Sequence, residues 1–149
     1  MNKSSMIYIG KLIMDGDYFR YIKPDGVKRK DLKALGDIVY FMYVDDVLMK
    51  IGKAGKKGGW DGRVGTYKQG RSKNGDRTNK LIHKVMTEMN KDTIEIYCIR
   101  TPREIKEIKI EGQEDTFIAE LPTNCNVEQY YTQKCKEMGH PLPFCVQLN

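Results

Sequence analysis

Short runs of alternating and contiguous apolar positions predict an ordered series of strands and helices. Met6–Met14 has strand composition, Asp15-Gly16-Asp17 is a turn signal, and Tyr18–Ile22 returns as a second strand. Pro24-Asp25-Gly26 predicts another turn, and Lys28–Leu35 one or two helical turns stopped by Gly36. Ile38–Val44 is rich in β-branched and aromatic residues, Asp45-Asp46 makes a turn, and Val47–Gly52 returns. Lys53–Gly59 is too rich in glycine and lysine for regular structure. Trp60–Gln69 predicts a short helix in which Arg63 and Tyr67, four positions apart, share a face. Arg71–Arg77 reads as a polar, basic loop.

Thr78 is the expected N-cap of a helix over Asn79–Asn90, with Leu81, Ile82, Val85, Met86 and Met89 at helical spacing as its buried stripe. Thr93–Arg100 alternates as a strand, and Ile105–Glu111 with Thr116–Leu121 predicts a further hairpin. Asn126 is the expected cap of a last helix over Val127–Met138, ended by Gly139, after which Pro141 and Pro143 keep the chain extended. Sheet and helices are mixed, so the expected class is α+β: a small antiparallel sheet flanked by helices, with a β extension at residues 1–36 ahead of a compact unit at 37–149.

Composition narrows the function. The chain has 149 residues, about one domain, and its 40% hydrophobic and 31% charged content predicts a soluble globular protein. No apolar run approaches the roughly 18 residues of a membrane span, and the first ten residues lack the apolar core of a signal peptide, so a cytoplasmic location is expected. Cys98, Cys125, Cys135 and Cys145 form no C-x-x-C pair, and His83 and His140 are the only histidines; reduced thiols are expected, and no zinc site. The net charge of +6 is unevenly spread. Between Lys50 and Lys80 ten basic residues face only Asp61 and Asp76, a local +8 that leaves −2 for the rest. A concentrated cationic stretch of this kind is the footprint of a nucleic-acid binder, with a solvated loop as the plainer reading.

Tyr40, Lys50, Arg63 and Tyr67 gather around the hairpin and the short helix after it: two phenols, an ammonium and a guanidinium, a set suited to a phosphodiester. Ile38-Val39-Tyr40, then Lys50-Ile51-Gly52, then Arg63 with Tyr67, then Glu128, then Asn149 resemble, in that order, the GIY-YIG nuclease superfamily over about residues 37–149. Lysine at position 50, where most members carry tyrosine, and tyrosine at 67 look like the small type II restriction endonucleases of that superfamily. The resemblance implies a catalytic set of Tyr40, Lys50, Arg63, Tyr67, Glu128 and Asn149.

Chemistry gives each residue an expected role. Glu128 is the candidate ligand for one Mg2+, an ion readily held by one carboxylate, waters and the substrate phosphate; Glu120 is its rival, and Glu128 also reads simply as a carboxylate favoured near a helix N-terminus. Arg63 offers a planar fork to phosphate oxygens. Tyr40 is the candidate general base, with Lys50 expected close across the hairpin to favour its phenolate. Tyr67 is expected to orient water or a phosphate oxygen, and Asn149 to orient Glu128 or its water. Lys53, Lys56, Lys57, Arg71, Lys73 and Arg77 are expected DNA-backbone contacts. Base reading is open between the N-terminal hairpin (Lys11, Arg20, Lys23) and the Arg103–Leu121 insertion. Double-stranded DNA is the expected substrate, with a homodimer supplying two sites and a companion DNA methyltransferase protecting the host. A phage or mobile-element nicking or homing-like nuclease and a non-catalytic nucleic-acid-binding protein are the alternatives.

Overall fold

A computed structural model describes residues 2–145. A short turn of helix at Lys3–Ser5 leads into β1 (Ile7–Asp15) and β2 (Tyr18–Ile22), followed by α1 (Arg29–Lys33). The central hairpin is β3 (Ile38–Val44) and β4 (Val47–Ala54), and α2 (Gly59–Tyr67) and α3 (Arg77–Met89) follow. The chain then forms β5 (Thr93–Arg100), the hairpin β6 (Arg103–Lys109) with β7 (Thr116–Pro122), and α4 (Asn124–Glu137). Five strands form one sheet in the order β2-β1-β5-β3-β4, with antiparallel pairing throughout, and β6-β7 stands apart as a two-stranded sheet. The class is α+β, as the alternating pattern predicts. Residues 1–36 supply two of the five strands, and β1 pairs directly with β5.

Strand β3 reads as a continuous apolar run because both its faces are covered. Ile38, Tyr40, Met42 and Val44 enter the core with Leu32 of α1, Trp60, Val64 and Tyr67 of α2, and Ile82 and Met86 of α3. Val39, Phe41 and Tyr43 pack on the other face with Leu48, Ile51, Cys135 of α4 and Leu142. All seven residues of β3 are buried. Each large apolar side chain so removed from water contributes roughly 1.5–3 kcal/mol.

β4 lies at the edge of the sheet, and the segment after α4 covers its middle. His140 Nε2 lies 2.9 Å from the Leu48 carbonyl, and the Phe144 N–H donates to the Met49 carbonyl at 3.2 Å. Phe144 itself is fully buried. Capping the edge in this way blocks strand addition by another chain. Cys98, Cys125, Cys135 and Cys145 are free, and burial pushes the Cys98 thiol up to about 12, which keeps it protonated and inert. Among the described residues no helix is long and apolar enough to cross a membrane.

Several element boundaries differ from expectation, and three of them bear on the site. α3 begins at Arg77 and not after Thr78, because Asp76 accepts a hydrogen bond from the Asn79 N–H at 2.8 Å and caps the helix. α4 begins at Asn124, three residues before the expected start, because the buried Asn124 side chain donates to the Ala54 carbonyl and ties the helix to the end of β4. Glu128 therefore lies a full turn into the helix and not at its opening. β4 continues to Ala54, which places Lys53 on the strand.

Candidate active site

The β3–β4 hairpin carries a bulge that decides the geometry of the site. Pairing runs Val44 with Val47 and Tyr43 with Leu48, then slips by one residue, so that Met42 opposes Lys50, Phe41 opposes Ile51 and Tyr40 opposes Gly52. A regular hairpin would have put Ile51 across from Tyr40. With glycine there, the Tyr40 ring lies across the backbone of β4: a Cβ at position 52 would fall 2.2 Å from its Cζ and 2.3 Å from its oxygen. Gly52→Ala is expected to drive Tyr40 out of place, lowering stability by about 1–3 kcal/mol, as overpacking does, and dismantling the site. Denaturant unfolding and near-ultraviolet circular dichroism would register both effects.

α2 brings two more groups to Tyr40. Arg63 and Tyr67 are one turn apart, and Tyr67 packs edge-on against Tyr40. The two phenol oxygens are 2.5 Å apart. Arg63 Nε donates to the Tyr40 oxygen at 3.0 Å, and its Nη2 donates to the Tyr67 oxygen at 3.3 Å. One guanidinium thus spans a hydrogen-bonded pair of phenols. Both tyrosines are buried, and Arg63 is half-buried above them.

Burial raises the Tyr40 pKa above its ordinary value, and Arg63 and the Tyr67 hydroxyl oppose that rise without cancelling it. Tyr67 is pushed well above its ordinary value, by burial first and by Tyr40 second. Burial pulls the Arg63 pKa down, the phenol pair outweighs it, and the net shift is upward, so the guanidinium stays charged. At rest the site therefore holds two neutral phenols under a fixed positive charge. A Tyr40 phenolate would find two donors in place, Arg63 Nε and the Tyr67 hydroxyl.

The N-terminal strands hold this cluster from behind. Trp60 is fully buried, with its ring 5.0 Å from that of Tyr40. Its Nε1 donates to the Tyr21 hydroxyl at 3.0 Å, and that hydroxyl donates to the Ile9 carbonyl. Gly10, with φ +114°, leaves room for the Tyr21 ring, which a Cβ would approach to 2.7 Å. Neither Trp60 nor Tyr21 stands out in the sequence as a functional residue; the one signal was a lone tryptophan inside a glycine-rich stretch. Tyr21→Phe leaves the Trp60 N–H without its partner and is expected to lower stability by about 1–3 kcal/mol, measurable by urea titration.

Lys50 is half-buried, and the bulge sets it opposite Met42, diagonal to Tyr40. Its Nζ is 4.0 Å from Cys145 Sγ. The cation bonded to the Tyr40 oxygen is Arg63, so the lowering influence expected of Lys50 comes from Arg63. Glu128 is half-buried on α4, near enough for its charge to add to the rise of the Tyr40 pKa. Its rival Glu120 is exposed on β7, opposite Ile105, away from the main sheet. Asn149 lies outside the described residues. Lys53, Lys56, Lys57, Lys73 and Arg77 are exposed; Arg71 is exposed too, but its Nε is 2.5 Å from the Asp17 carboxylate. His83 is structural, with its Nε2 2.7 Å from the Gly16 carbonyl.

Among the described residues no three His, Cys, Asp or Glu side chains come together as a metal cluster. Glu128 is a single hard oxygen donor, the kind of ligand that suits Mg2+ with most of its shell left to water and phosphate.

No protein-family model matches the chain, and no curated protein sequence matches it. Solved structures do. Restriction endonuclease HPY188I, in complex with product DNA, superposes with a TM-score of 0.53 at 18% identity, over 98% of this chain and 83% of that one. A mutant of bacteriophage T4 EndoII superposes with a TM-score of 0.55 at 17% identity, over 93% of this chain and 90% of that one. The fold is one that nucleases use. At these identities the likeness is one of fold, and it extends over the N-terminal strands as well as the central hairpin.

Proposed function

We propose that this chain is a Mg2+-dependent DNA endonuclease of the GIY-YIG type that cuts double-stranded DNA at a specific sequence, as a type II restriction enzyme does. The observation that carries the reading is the Tyr40–Tyr67–Arg63 cluster. A charged fork spans two buried phenols, on a fold shared with HPY188I, which was captured with product DNA.

In this reading Arg63 turns its guanidinium to the scissile phosphate and stabilises the charge that builds on its oxygens. The phenolate form of Tyr40, held by donation from the Tyr67 hydroxyl and Arg63 Nε, accepts the proton of the attacking water and becomes the neutral phenol. The bond between phosphorus and the 3′ oxygen breaks as the new bond to the water oxygen forms. Glu128 would hold a Mg2+ ion, which would supply Lewis-acid stabilisation of the leaving oxygen. Lys50 supports the site from the neighbouring strand, and Asn149 is assigned to orient Glu128.

The exposed cations Lys53, Lys56, Lys57, Lys73 and Arg77, with Arg71 once released from Asp17, bind the DNA backbone and make affinity steeply salt-dependent. Two sites are needed for a double-strand cut, so the active form is a homodimer, working in the cytoplasm beside a companion methyltransferase. The likeness to bacteriophage T4 EndoII favours a second reading, a phage or mobile-element nuclease that nicks.

Incubation of supercoiled plasmid with the protein in Mg2+, and in EDTA as control, tests the proposal. Discrete linear fragments in Mg2+ alone support the restriction reading. Relaxed circles support the nicking one. A salt-sensitive gel shift without product under any divalent ion would replace both with a non-catalytic binding protein.

A further inference from the structure

Helix α2 turns an unusual face to solvent. Trp60 and Val64 point into the core, and Gly62 and Gly65 occupy the opposite side. Glycine is the poorest helix former after proline, so two of them on the solvent side of a nine-residue helix call for a reason. Internal packing does not supply one. A Cβ at Gly62 or at Gly65 would meet nothing within 4 Å, whereas at Gly52, Gly59 or Gly70 it would collide with the fold. The free protein has room for side chains on this face and carries none.

The two glycines floor a cavity whose walls are Thr66, Gln69, Asn74, Asp76 and Asn79. Asn79 is only 2% exposed. Its Nδ2 donates to the Thr66 carbonyl, and among the described residues no donor reaches its Oδ1, which stays open to solvent at the cavity wall. Asp76 is already engaged in capping α3. Three carboxamides, Gln69, Asn74 and Asn79, are therefore the groups available to a ligand, and neither lysine nor arginine lines the space. A phosphate site would need cations. Paired donors and acceptors on carboxamides match the edges of bases, adenine above all, in the major groove. The cations are placed around the cavity in the chain instead, at Lys73, Arg77 and Lys80, and Arg63 lies one residue on from Gly62.

We propose that this cavity is the base-reading subsite: a base-pair edge seats against bare helix backbone at Gly62 and Gly65 and is read by Gln69, Asn74 and Asn79. The inference rests on the nuclease reading above and assigns sequence selection to the α2–α3 region. The isolated β6–β7 hairpin is a poorer platform, since residues 103–122 carry three basic residues against six acidic ones.

The test is equilibrium binding, by fluorescence anisotropy in EDTA, of a duplex containing the sequence the wild type cuts and of a scrambled duplex. Gly62→Ala and Gly65→Ala are expected to raise Tm, since alanine favours the helix and fits the free protein. They are also expected to weaken binding of the cognate duplex about tenfold or more. Gln69→Ala and Asn74→Ala are expected to narrow the cognate-to-scrambled ratio about tenfold while binding scrambled DNA within about twofold of wild type. Glycine variants that lose Tm would show that the glycines serve the fold, and would overturn the inference. So would variants that bind and discriminate as wild type does, or a wild type that cuts DNA without sequence preference; in both cases the nuclease reading would stand. A wild type that binds neither duplex would defeat the nuclease reading itself, and this inference with it.

Discussion

Tyr40→Phe is expected to slow DNA cleavage by about 10²–10⁴-fold, the range over which a positioned acid or base acts. The fold should survive, because the ring stays in its slot over Gly52 and against Trp60. The variant loses two hydrogen bonds, one shared with the Tyr67 hydroxyl and one donated by Arg63 Nε, and is expected to be about 1–3 kcal/mol less stable. The pH dependence is the sharper part of the expectation. Burial holds the Tyr40 phenol above its ordinary pKa, so the phenolate fraction, and with it the rate, should keep climbing through neutrality without a plateau below about pH 10. Arg63 opposes the rise, so Arg63→Ala should move the alkaline limb to still higher pH besides lowering the rate by about 10²–10³-fold. A Tyr40→Phe enzyme that keeps the wild-type pH profile would remove Tyr40 from proton transfer.

Glu128→Gln is expected to lower Mg2+-dependent cleavage by about 10³-fold or more, several kcal/mol of transition-state stabilisation at about 1.4 kcal/mol per decade. The carboxamide keeps the size of the side chain and removes its charge, so helix α4, anchored through Asn124 to Ala54, should form unchanged. One further consequence separates this role from a structural one. The Glu128 charge helps to raise the Tyr40 pKa, so its removal should ease ionisation of the phenol. A fallen rate with a pH profile shifted downward would be the signature. Titration of the rate with Mg2+ checks the assignment independently: a lost ligand raises the concentration needed for half-maximal activity.

The parts of the fold that were legible in the sequence were those set by local chemistry. β3 reads as seven contiguous apolar residues because both faces are covered, and the Asp45-Asp46 turn, with φ of 48° and 64°, uses a residue type that tolerates the left-handed region. Arg63 and Tyr67 were legible as a pair because helical spacing alone places them on one face. What escaped the sequence was tertiary. The bulge at Met49 shifts the register by one residue, which replaces Ile51 with Gly52 opposite Tyr40 and sets Lys50 opposite Met42; no single residue announces a bulge. The Trp60–Tyr21 hydrogen bond joins residues 39 apart in the chain, and the early start of α4 depends on an acceptor at Ala54, 70 residues away. The expected cap at Thr78 gave way to Asp76, two equivalent signals that only the surrounding packing could rank.

A digest of supercoiled plasmid in Mg2+ by the wild type beside Glu128→Gln tests the central claim most directly. Discrete linear fragments from the wild type and intact plasmid from the variant are the expected result. Equal cleavage by the two proteins, or none by either while DNA remains bound, would contradict it.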